Sequence, residues 1–82
     1  MKIHHYTLIF QKEPEGGYTV LVPALKGCVT YGETIEEAQK AAQEAIQSYL
    51  GSLKKDKIKP PQDVSFVSTI DISEGDQPVV YA

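Results

Sequence analysis

Residues 35–53 hold the only strongly helical pattern in the chain, and that stretch limits what the rest can become. Ile35, Ala38, Ala42, Ala45, Ile46, Tyr49, Leu50 and Leu53 recur at helical spacing and form one apolar stripe. Glu36, Glu37, Gln39, Lys40, Gln43, Glu44 and Gln47 fill the other side. Thr34 stands where an N-cap belongs, and Glu37 follows three residues later, the capping-box spacing. Glu36 and Glu37 suit the positive end of the helix dipole, and Lys54, Lys55 and Lys57 suit its negative end. Gly51 weakens the last turns, so fraying is expected there, and Pro60-Pro61 forbids continuation. A helix apolar on one side needs a surface to cover.

The remaining segments are strand-like. From Lys2 to Lys12 two sets alternate, with His4, Tyr6, Leu8 and Phe10 on one face and Ile3, His5, Thr7 and Ile9 on the other. The first set is the more apolar and is expected against the helix. Glu13-Pro14-Glu15-Gly16-Gly17 is a turn, and Tyr18 to Val22 resumes as the second strand of a hairpin. Pro23 stops that strand because it cannot donate to a ladder. Ala24-Leu25-Lys26-Gly27 turns the chain again, Cys28 to Tyr31 is a short third strand, and Gly32 ends it. Val64 to Ile72 alternates once more and is expected to be a fourth strand, with residues 73–82 a short C-terminal arm or edge strand.

This order predicts a single α+β domain, a two-layer β-β-β-α-β arrangement with its core in about residues 2–72. A meander of three strands followed by a right-handed crossover gives a mixed sheet of order 3-2-1-4 with the helix on one face. The other face carries Ile3 and Ile9, with Leu21 and Val67 depending on register. An uncovered apolar face on so small a domain predicts association, with itself or with a partner.

Charge and cysteine usage narrow the function. The 82 residues carry a formal charge of -3, and every basic residue is lysine. Arginine is the preferred residue for bidentate phosphate and guanine contacts, so an acidic chain without it is a poor nucleic-acid binder and a better cover for a basic protein. Cys28 is the single cysteine, which excludes an internal disulfide and a cysteine-based metal site and fits a reducing compartment. The N-terminus has no signal-peptide or membrane-span pattern, so a cytoplasmic protein is expected.

One run is more specific. Gly17-Tyr18-Thr19-Val20, Val22-Pro23-Ala24-Leu25-Lys26-Gly27-Cys28, Thr30, Gly32-Glu33-Thr34 and Glu36-Glu37-Ala38 resemble the HicB-like antitoxin family, in a match that covers roughly residues 5–61. The resemblance implies a truncated ribonuclease-H-like sheet with one helix. It also implies neutralisation of a HicA-like toxin, a small basic mRNA-cleaving protein, by protein-protein contact. Members often add a C-terminal DNA-binding module. Only ten residues follow Ile72 here, so DNA binding is not expected without an added module. Ala24 stands where the family often has an acidic residue, and Lys26 where it often has proline or an apolar one. The partner-facing candidates are therefore Ala24, Lys26, Tyr31, Glu33, Glu36 and Glu44. Pro23, Gly27, Cys28, Gly32, Thr34, Glu37 and Ala38 are read as the structural motif.

Catalytic readings are weaker. A ribonuclease-H-type centre needs clustered carboxylates to hold magnesium, and Lys2 to Phe10 contains none. His4 and His5 are adjacent, so a strand would send them to opposite faces. Cys28 lacks a histidine or acid at a recognisable spacing and reads as a packing residue. The Lys54–Lys59 run reads as a solvated helix end. No enzyme activity, cofactor or metal is expected. The rival reading is an orphan of the same family, a self-associating interaction module without a toxin.

Overall fold

The computed structural model describes residues 3–75. Four elements follow in order: β1 (Ile9–Lys12), β2 (Tyr18–Leu21), β3 (Val29–Gly32) and α1 (Ile35–Lys55). The strands form one antiparallel sheet ordered β1-β2-β3. Two local devices shape the β2–β3 hairpin. Gly27 has φ 80, a left-handed backbone that glycine adopts without steric cost. Gly32 lies where a Cβ would overlap the backbone of Glu37 and Ala38, so its missing side chain lets the strand end touch the helix start.

α1 begins as its sequence predicts. Thr34 is the N-cap, and its hydroxyl accepts the Glu37 N–H at 3.1 Å. The Glu37 carboxylate reaches back to the Glu33 N–H at 3.3 Å, one residue earlier than in the usual capping box. The far end differs from expectation. The helix passes through Gly51 to Lys55 without fraying. It closes in a Schellman arrangement, with Lys57 N–H bonded to Lys54 O at 3.1 Å and Ile58 N–H to Leu53 O at 2.8 Å. Lys57 takes the left-handed position, φ 58, that glycine normally fills.

The helix packs on β3 and β2. Val20, Ala38 and Ala42 form one buried cluster, with Leu8, Phe10 and Tyr18 against it. Val22, Leu25 and Cys28 form a second, with Tyr6, Leu8, Ala45, Ile46 and Tyr49 against it. Tyr6, Leu8 and Phe10 thus face the core as alternation predicted, whereas His4, expected on the same face, is exposed. Ile35, placed on the stripe by spacing, is half-exposed at the first turn.

Two expectations about strands are corrected. β1 is short, and residues 3–8 lie outside any strand. Among the described residues, Val64 to Ile72 is not paired to any strand, and the sheet ends at β1-β2-β3 without the fourth strand of the expected order 3-2-1-4. The reason is geometric. A helix roughly 10 Å wide covers about two strands spaced about 4.8 Å apart. α1 sits on β3 and β2, so a fourth strand beyond β1 would gain little burial beneath it. Val64, Phe66, Ile70 and Ile72 remain 89%, 88%, 82% and 77% exposed. The Cα radius of gyration is 17.3 Å against about 12 Å for a compact domain of this length, as a projecting segment requires. The short end expected over 73–82 lies, from residue 76 on, outside the described residues. Among the described residues, no helix is long and apolar enough to cross a membrane.

Candidate functional site

The sheet face away from α1 carries an apolar row. The register aligns Ile9 with Leu21 and Leu21 with Val29, and it aligns Gln11 with Thr19 and Thr19 with Tyr31. Their neighbours Phe10 and Val20 point to the helix side, so alternation sends these residues to the opposite face. Ile9, Val29 and Tyr31 are 38%, 57% and 48% exposed, and Leu21 is half-buried.

An acidic rim adjoins that row. The β1–β2 turn is closed by Glu13 N–H to Gly17 O and Gly16 N–H to Glu13 O, each 3.0 Å. Thr19 donates its hydroxyl to the Glu13 carboxylate at 2.6 Å. The Tyr31 hydroxyl donates to Gly16 O at 3.0 Å and so ties β3 to the turn. Glu13, Glu15, Gly16, Tyr31 and Glu33 line a shallow groove there. Local desolvation, then the negative charge of Glu33 and of Glu13, push the Tyr31 phenol above its ordinary range. The groove therefore combines an aromatic surface with three carboxylates and no cation, a complement to lysine- or arginine-bearing protein surface.

The candidates named from the sequence separate in space. Tyr31 and Glu33 share this groove, and Glu36 follows in the exposed first turn of α1. Glu44 is exposed two helical turns further along. Ala24 and Lys26 lie in the β2–β3 turn, at the opposite end of the strands from Tyr31. Sequence reasoning missed Glu13 and Glu15, which it treated as turn residues. The hydrogen bond from Thr19 to Glu13 and the Tyr31 tether bring that turn to the face.

The other marked positions have structural settings. Pro23 is exposed where β2 ends, and Cys28 and Ala38 are buried. Burial pushes the Cys28 thiol up, away from the reactive thiolate. His4 and His5 are both exposed, and the His4 ring stacks on Tyr6 with centroids 6.1 Å apart. Among the described residues, no group of three or more His, Cys, Asp and Glu side chains is placed to hold a metal ion.

Known proteins place the chain. Residues 6–79 match the family described as HicB-like antitoxin of bacterial toxin-antitoxin system. A UPF0150 protein of Thermoplasma acidophilum is 50% identical over 58 residues, 71% of this chain and 84% of that protein. A UPF0150 protein of Synechocystis is 38% identical over 71 residues, 87% of this chain and 90% of that protein. A third, from Helicobacter pylori, is 47% identical over 47 residues, 57% of this chain and 65% of that protein. The motif from Gly17 to Ala38 falls within the matched residues, and the chain belongs to the HicB-like antitoxin family.

Proposed function

We propose that this protein is an antitoxin that binds and masks a small basic, HicA-like toxin through the sheet face opposite α1. The observation that carries the reading is the junction of the Ile9–Leu21–Val29 row with the Glu13, Glu15, Tyr31 and Glu33 rim. An apolar centre with an acidic margin suits a basic protein. The row supplies burial, and the carboxylates accelerate encounter more than they strengthen the complex. Family membership supports the antitoxin role and a non-catalytic task. The part played by Tyr31 would be an amphipathic anchor, with its ring in contact and its hydroxyl held by Gly16.

Co-expression with a HicA-like toxin tests the reading. Growth rescue and co-purification are expected from the native chain, with rescue lost in Val29→Asp and weakened in Tyr31→Ala. Full rescue by Val29→Asp would exclude this face, and undiminished toxicity beside the native chain would exclude the role.

A further inference from the structure

We propose that residues 64–72 complete the sheet of a second copy of this chain, each copy laying its segment along the β1 edge of the other. The inference is independent of the toxin reading. The segment has the composition of a half-buried strand. Val64, Phe66, Ile70 and Ile72 alternate with Ser65, Thr69 and Asp71, so an extended conformation carries one apolar face and one largely polar face. The apolar set stands in solvent, with Phe66 88% exposed.

The root of the segment is held where it can leave its own chain. The Tyr6 hydroxyl donates to Pro61 O at 2.7 Å. The Asp63 carboxylate accepts the Thr7 N–H on one oxygen and the Ser65 N–H on the other. The Ser65 bond spans two residues, an Asx turn, at the point where the chain would have to continue beside Leu8 to pair with its own β1. Pro60-Pro61 stiffens the approach. The root is therefore fixed next to β1 while, among the described residues, the outer edge of β1 has no paired strand.

Reciprocity selects a second copy as the occupant. β1 is an edge strand, with a row of unpaired backbone groups that template strand addition. Among the described residues each copy leaves two sheet edges open, at β1 and at β3, and one strand-like segment unpaired with its root beside β1. A two-fold exchange pairs the segment and the β1 edge in both copies at once and closes on itself, with β3 the remaining edge, whereas a different partner that took either the segment or the β1 edge would leave the other unpaired. Exchange also brings the donor copy against the end of the sheet that α1 does not reach. The apolar side chains from two such segments remove on the order of 1,000 Å² or more from water, the scale of a stable dimer. The resulting order is 3-2-1-4, with strand 4 taken from the other chain.

The full-length protein tests this directly. Sedimentation equilibrium at about 100 µM should give a dimer. In a sample mixed from isotope-labelled and unlabelled chains, isotope-filtered NOEs should join Phe66 and Ile70 of one copy to β1 of the other. Phe66→Asp combined with Ile70→Asp should weaken the dimer by roughly 100-fold or more, while the helical circular dichroism persists, because both residues are exposed in the single chain. A monomer at that concentration would overturn the proposal. So would a dimer indifferent to the double substitution, NOEs from the segment to β1 confined within one chain, or ordering of the segment only on addition of a basic toxin.

Discussion

Val20 and Val64 both sit in alternating, strand-like runs, yet the first is 0% and the second 89% exposed. Local pattern does not distinguish them. Position relative to the helix does. Val20 lies on the strand beneath α1, in contact with Ala38 and Ala42. Val64 follows the Asp63 turn and meets no cover among the described residues. In a domain with one helix, burial is rationed by the width of that helix, and an amphipathic strand outside its reach becomes a means of association.

Core truncation tests that contrast most strongly. Leu25, 1% exposed, should lose about 3 kcal/mol of stability on change to alanine. Phe66→Ala, measured in the dilute unassociated chain, should change stability by less than about 0.5 kcal/mol. Urea titrations of the two variants check the pair, and equal losses would mean that the segment is packed in the monomer. Next in size is Gly32→Ala. Its Cβ would press on the Glu37–Ala38 backbone and should cost roughly 1–3 kcal/mol by forcing the strand end from the helix. A lowered thermal midpoint with retained helicity is the expected signature.

A smaller effect of opposite sign separates the two ends of α1. Thr34 is a well-suited N-cap, whereas Lys57 holds the left-handed closing position with a side chain that disfavours it. Lys57→Gly should stabilise the protein by about 1 kcal/mol, read as a raised denaturation midpoint. The smallest effect concerns the root of the segment. Hydrogen bonds from Thr7 and Ser65 hold the Asp63 carboxyl at about 2, below its ordinary 3.8. A depressed carboxyl favours the folded form above its unfolded value and loses that contribution as pH falls through the folded one. The clasp should therefore be intact at neutral pH and loosen between about pH 4 and pH 2. The Thr7 and Ser65 amide shifts should titrate together with a midpoint near the lower value. Asp63→Asn should abolish that titration.

Much of the fold was legible because several local signals agreed. The 35–53 stripe, the Thr34–Glu37 cap and the turn glycines specified the helix and the meander without tertiary information. The motif from Gly17 to Ala38 carried the family. The destination of the fourth strand was hidden, since periodicity reports that one face of a strand is apolar and says nothing about which sheet receives it. The candidate site was legible only in part. Glu33 belongs to the motif and Tyr31 lies between its residues, so both could be named, but Glu13 and Glu15 reach the face through the Thr19 and Tyr31 hydrogen bonds, which depend on register across three strands. The Lys57 closure was likewise hidden, because lysine carries no signal for a left-handed backbone.

Cys28 gives the molecule a built-in gauge. Its sulfur is the single thiol in the chain and is packed with Val22 and Leu25. Cys28 is 7% exposed, so a thiol-specific dye reacts slowly with the closed form and faster when that packing parts, and the labelling rate follows local opening around it. The same reaction, followed as a partner is added, would register tightening or loosening of the protein with no engineered probe.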